Sequence, residues 1–89
     1  MAEGKLHVEI VSKVEFLWQG EAHYVSVPAV DGRLGIMRGR QPVLAVLEPG
    51  AVEISLVSGE TVSVNVEGGF ASVDSDYVTV VVEGGALAG

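Results

Sequence analysis

The side chains that could carry chemistry are few and poorly spaced for it. His7 and His23 are the two histidines. Each lies in a run whose opposite-parity neighbours are apolar, with Leu6 and Val8 beside the first and Ala22 and Tyr24 beside the second. In an extended chain that parity turns both imidazoles outward or to a sheet edge. A metal site would need a third ligand, and nothing is spaced to supply one. The chain has no cysteine, which excludes disulfides and thiolate metal sites. Its serines sit in turns or on polar strand faces, without a Gly-x-Ser-x-Gly elbow. Asp74-Ser75-Asp76 offers too few oxygen donors for a calcium loop and reads as a turn closed by Asx side chains. No pair of carboxylates is marked out for glycoside hydrolysis. The expectation is therefore a chain with no catalytic, cofactor-binding or metal-binding residues.

One stretch differs from the rest. Asp31-Gly32-Arg33-Leu34-Gly35-Ile36-Met37-Arg38-Gly39-Arg40-Gln41-Pro42 holds every arginine, and Lys5 and Lys13 are the only other cations. Gly32, Gly35 and Gly39 fit neither Gly-x-Gly-x-x-Gly nor Gly-x-x-x-x-Gly-Lys, and no helix follows to offer its amides, so a phosphate cradle is disfavoured. The formal net charge of 89 residues is −7. That field argues against nucleic acid as the main partner. A local basic cluster on an acidic chain reads either as a solubilising loop or as a contact patch for an acidic or polar partner.

The elements that must position this stretch read as strands. Val, Ile, Thr and aromatic residues recur with period two, and Gly, Pro, Ser and Asp punctuate them; no window carries a capped helical stripe. Leu6–Ser12 opens the series. Phe16–Trp18 reads as a short strand ended by Gly20, and Ala22–Val27 as another closed by Pro28. A short strand is expected at Leu34–Met37, and Pro42–Leu47 is more uniformly apolar than the others. Ala51–Val57 and Thr61–Val66 alternate cleanly about Ser58-Gly59 and form the clearest hairpin. Phe70–Val73 and Tyr77–Glu83 complete the set. The length allows one domain, expected over residues 1–84, with 85–89 a flexible tail. The fold class is all-β, with two sheets packed as a sandwich or flattened barrel over a valine-rich core.

With these residues in place, the chain resembles the N-terminal β-sandwich domain of the epsilon subunit of bacterial F-type ATP synthase (delta in mitochondria). Leu6–Ser12 looks like the family's first strand. Leu17-Trp18-Gln19-Gly20-Glu21-Ala22 looks like its aromatic-x-Gly-Glu element. Asp31 to Val43 resembles its Gly-x-Leu-Gly-Ile-x-Pro-Gly-His-x-Pro segment, and Leu47-Glu48-Pro49-Gly50 and Val66-Glu67-Gly68-Gly69-Phe70 follow in order. The likeness covers about residues 5–83. Arg40 stands where the family usually has histidine, Arg38 where it usually has proline, and Arg33 where an acid is common, so the patch is more cationic than usual.

The resemblance implies a ten-stranded β-sandwich without catalytic sites, placed in the rotor stalk. It would bind the gamma subunit and the polar loops of the c-ring and help couple proton-driven rotation to ATP synthesis. Residues implied at that contact are Ser12, Arg33, Arg38, Arg40, Val43 and Ala45. Arg33→Glu and Arg40→Glu are expected to weaken docking without disturbing the fold. The implied location is the cytoplasmic face of the bacterial cell membrane, peripheral and reached only through the complex; the isolated domain is expected to be prone to self-association. The family usually continues into a two-helix domain that can inhibit hydrolysis and in some bacteria binds ATP. Gly84–Gly89 has no helical pattern, so these residues are expected neither to inhibit nor to bind ATP. The alternative reading is a stand-alone β-sandwich module for protein or carbohydrate, which would need Trp18 and Tyr24 or Tyr77 side by side on one surface.

Overall fold

The computed structural model describes residues 5–39, 41–83 and 85–87, and all their regular structure is strand. Nine strands run in order as β1 (Leu6–Ser12), β2 (Phe16–Ala29), β3 (Gly32–Ile36), β4 (Val43–Leu47), β5 (Gly50–Leu56), β6 (Thr61–Val66), β7 (Gly69–Asp74), β8 (Tyr77–Val82) and β9 (Gly85–Leu87). Pairing is antiparallel except between β1 and β8.

The length of β2 organises everything else. Its first part pairs with β1, from Phe16 opposite Val11 to Ala22 opposite Leu6. Its second part pairs with β5 on one side and β3 on the other. One layer is thus β4-β7-β8-β1-β2 and the other β3-β2-β5-β6-β9. Each layer has five strand positions, and β2 belongs to both, which reconciles nine strands with the ten expected. A single bridge, Ala29 opposite Leu47, joins β2 to β4 and closes the first layer into a flattened barrel.

The core lies between the layers. Leu6, Val8 and Ile10 of β1 meet Val25 and Val27 of β2, Val52 and Ile54 of β5, and Val78 and Val80 of β8, all essentially without solvent contact. Most of these side chains are β-branched, which suits a pleated surface buried on one face. No polar or charged side chain is buried among the described residues. The layers therefore owe their adhesion to apolar burial, about 25 cal/mol per Å² removed from water.

Three expectations change. Phe16–Trp18 and Ala22–Val27 are one strand, not two. Gly20 does not end it: the Trp18 indole lies across the glycine, and a Cβ there would sit 2.7 Å from Cη2 of the ring. Glycine in this strand makes a seat for an aromatic ring. The short strand expected at Leu34–Met37 begins earlier, at Gly32, and ends at Ile36. The tail expected from residue 85 instead begins as β9, which pairs with β6 from Gly85 opposite Val66 to Leu87 opposite Val64. Residues 84, 88 and 89 lie outside the described residues.

Candidate partner interface

The basic stretch spans β3 and the loop from β3 to β4. Strands β2 and β3 meet through Val30-Asp31, a two-residue connection with Gly32 at φ 123°. Beyond Ile36 the chain crosses from one layer to the other. Gly39 there takes φ 85°, and its N–H donates to Asp76 Oδ1 at 2.9 Å. Arg38 is exposed beside it. An open depression of about 450 Å³, lined by Gly35, Met37, Arg38, Gly39, Gln41, Pro42 and Val43, lies under this loop. Arg40 lies outside the described residues.

Arg33 is not a free contact group. Its Nε donates to Ser26 Oγ at 2.9 Å, and one terminal nitrogen donates to Ser26 O at 3.1 Å and Ala51 O at 2.7 Å. The guanidinium therefore straps β3 across β2 to β5. Its planar fork suits the task, since several donors leave in fixed directions. Arg33→Glu would remove these bonds, so the change is expected to cost some stability as well as docking.

The other anticipated contact residues are scattered. Ser12 closes the β1–β2 turn: its hydroxyl accepts the N–H groups of Val14 at 3.3 Å and Glu15 at 3.1 Å. Val43 and Ala45 are half-buried on β4, facing inward at the edge of their layer. The structure thus brings Arg38 and Val43 to one depression, gathers Arg33, Val43 and Ala45 along an adjoining groove, and places Ser12 elsewhere. His7 stacks on Tyr77, with ring centroids 4.9 Å apart, and His23 is exposed. Among the described residues no three His, Asp or Glu side chains converge as metal ligands. The aromatic platform is not assembled: Trp18 packs on the core, Tyr24 lies over Gly35 on the second layer, and Tyr77 is on the first.

The sequence reasoning missed an apolar surface feature. Register places Val46 of β4 opposite Phe70 of β7, Phe70 opposite Val81 of β8, Val81 opposite Val11 of β1, and Val11 opposite Phe16 of β2. Cross-strand partners share a face. Five apolar side chains from five adjacent strands thus form one stripe on the outside of the first layer. Phe16 is 55% exposed, Val46 59% and Phe70 44%, and Leu44 beside them 67%. The outer face of the second layer has Ser26, Glu53 and Ser63 in the corresponding kind of row. That contrast sets the stripe apart from singly scattered surface apolar residues. The available signal was that Val43–Leu47 and Val80–Val82 are apolar on both parities.

The family model for the ATP synthase delta/epsilon chain, β-sandwich domain, matches residues 5–88. The chain belongs to that family. The epsilon chain of ATP synthase from Micrococcus luteus is 46% identical over 80 residues, covering 90% of this chain and 86% of that one. Those of Streptomyces avermitilis and Rhodococcus erythropolis are each 42% identical, covering 94% and 99% of this chain and 68% and 71% of theirs. A chain in the mitochondrial ATP synthase of Euglena gracilis, a structure of OSCP, F1 and c-ring, superposes with a TM-score of 0.88 at 20% identity. The match covers 98% of this chain and 56% of that one. A chain in the central stalk and c-ring of the Tetrahymena thermophila enzyme gives 0.73 at 18%, covering 96% and 68%. At those identities the two superpositions establish the fold, and the bacterial relatives carry the family.

Proposed function

We propose that this chain is a non-catalytic subunit of the central stalk of an F-type ATP synthase. In this reading it binds the gamma subunit through the apolar stripe and presents the Arg38 loop to the polar loops of the c-ring. Proton-driven rotation of the ring then reaches gamma through a rigid β-sandwich. The chain would lie peripherally at the cytoplasmic face of the bacterial membrane, held there only by the complex.

The observation that carries the reading is the stripe Val46-Phe70-Val81-Val11-Phe16 on an otherwise acidic protein. A rotor joint must transmit torque without slipping, which calls for a permanent contact, and permanent interfaces are the more apolar ones. The basic loop suits a different task. Its cation is exposed and its backbone is pinned, so it offers directional contacts to carbonyls and carboxylates with little ordering cost. The two surfaces adjoin along β4, where Val43 of the depression and Val46 of the stripe point to opposite faces of the strand.

The test is co-purification with gamma. Val46→Asp combined with Phe70→Asp removes two anchors whose burial contributes about 1.5–3 kcal/mol each. Binding to gamma is expected to fall at least about a hundredfold. Unchanged recovery with gamma, in a variant whose circular dichroism and melting are unaltered, would overturn the stripe as the docking face. A lone chain that never binds gamma would overturn the stalk reading as a whole.

A further inference from the structure

The apolar stripe has two flanks, and the charges along them narrow what can cover it. Successive outward residues of one strand stand about 6.8 Å apart, so each strand that crosses the stripe adds a neighbour on either side. On one side the registers put Leu44, Ser72, Thr79, Glu9 and Gln19 in a row. On the other side Glu48 stands two residues beyond Val46, Glu83 two beyond Val81 and Lys13 two beyond Val11. All three are exposed.

These flanks are mostly acidic. Glu48 and Glu83 lie along one edge of the stripe and Glu9 along the other, against the single cation Lys13. Among the described residues the one ion pair is Lys5 with Glu21, at 3.6 Å, so none of the three flanking carboxylates has a cation of its own. That pattern separates the possible occupants. A second copy laid on the stripe would bring like acids together, which opposes the contact. An anionic surface meets the same repulsion. A partner both apolar and cationic satisfies the stripe and its flanks at once.

The dimensions of the stripe then select the element. Five strands about 4.8 Å apart make it about 19 Å long and one side chain wide. An amphipathic helix offers one line of apolar side chains that advances about 5.4 Å per turn, close to the strand spacing. It covers 19 Å in about 13 residues. A strand laid along the stripe would repeat its side chains about every 6.8 Å and fall out of step with the strands beneath.

We infer that the stripe receives an amphipathic helix of the partner, about 13 residues long, with lysine or arginine on both shoulders of its apolar line. The inference rests on the docking reading above and adds the chemistry of the element that docks. Glu48 and Glu83 belong to β4 and β8, two strand spacings or about 10 Å apart. Two cations seven residues apart on one shoulder span about 10.5 Å and meet both. A cation on the other shoulder meets Glu9, and an acid toward the β1 end meets Lys13. The apolar line supplies the buried contact, and the charged rim steers the helix and fixes its register.

The probes are capped synthetic helices of about 14 residues, with leucine along one line and either lysine or glutamate on both shoulders. Titrated into the 15N-labelled chain at about 20 mM salt, the lysine helix is expected to bind with Kd on the order of 0.5 mM or tighter. It should shift the amide signals of Val11, Phe70 and Val81. The glutamate helix should bind at least about tenfold more weakly, and the ratio should shrink below about threefold at 500 mM salt. Glu9→Gln combined with Glu83→Gln should weaken the lysine helix about fivefold and slow association with gamma. Equal binding of the two helices would overturn the inference, and so would undiminished binding of a lysine peptide interrupted by proline. Stripe shifts that grow with the concentration of the chain alone and ignore the peptide would assign the face to a second copy and overturn it too. The docking reading fails separately. If Val46→Asp with Phe70→Asp leaves gamma binding intact while the lysine helix is still selected, gamma docks elsewhere and the helix site stands. If those changes abolish gamma binding but the two glutamine changes leave its rate and salt dependence untouched, the docking reading stands and the basic helix falls.

Discussion

Asp76 and Gly39, on loops that meet only in the folded chain, are joined by a hydrogen bond of 2.9 Å from the Gly39 N–H to the Asp76 carboxylate. The backbone carbonyl of the same aspartate accepts the His7 N–H at 2.9 Å. One residue of the β7–β8 turn thus holds both the start of β1 and the tip of the basic loop. Asp76 does so with φ 67° and follows Ser75 at 53°, left-handed values that Asx residues tolerate better than most.

That geometry separates two roles of Asp76. Asp76→Gly should suit the turn's positive φ while removing the carboxylate. Global stability is then expected to change by no more than about 1 kcal/mol. The Gly39 amide should exchange markedly faster, and binding through Arg38 should weaken. Asp76→Asn keeps an acceptor oxygen and should leave Gly39 protected. Hydrogen exchange followed residue by residue distinguishes the two, and a Gly39 amide equally protected in both variants would contradict the tether.

The Arg33 strap predicts a stability effect from a fully polar change. Arg33→Lys keeps the charge but cannot reach Ser26 Oγ, Ser26 O and Ala51 O together. A loss of about 1 kcal/mol in denaturant midpoint analysis is expected, kept small by the exposure of the group. Arg33→Glu should cost somewhat more and still fold. Docking measured with that variant must therefore be normalised to its folded fraction.

Gly20 offers an optical test, because Trp18 is the only tryptophan. Gly20→Ala places a methyl group within 2.8 Å of Cζ2 as well as Cη2 of the indole, so the ring must lift from the strand. The emission maximum should move to longer wavelength as the ring gains water, with a loss of about 1 kcal/mol in stability. Unchanged emission would mean that the ring does not rest on Gly20.

How much of this was legible in the chain follows from how local each signal is. The strand at Leu6–Ser12 and the hairpin around Ser58-Gly59 are written in period-two alternation and a turn dipeptide, both read within a few residues. The basic loop was visible because its arginines are clustered. Arg33's true employment was not, since Ala51 lies eighteen residues away and becomes a neighbour only through the β2–β5 register. The false break at Gly20 came from reading glycine as punctuation when its function is to be covered. The stripe was hardest of all. No two of its adjacent members share a strand, and it emerges only when five registers are combined.

The stripe carries one further consequence for the chain in isolation. With no partner present, Phe16, Val46 and Phe70 hold their apolar surface in water, and a second copy is the nearest thing that can cover it. Net charge of −7 opposes such pairing at low salt, when the Debye length is long. Self-association in sedimentation equilibrium should therefore strengthen as salt rises from about 10 mM to 500 mM. Phe70→Asp should abolish it, because the substituted residue points outward from β7 and adds charge within the stripe. Melting of that variant should stay within about 0.5 kcal/mol of the parent, as for other exposed positions. Association that weakens with salt, or that survives Phe70→Asp unchanged, would assign the contact to the polar edges rather than to the apolar face.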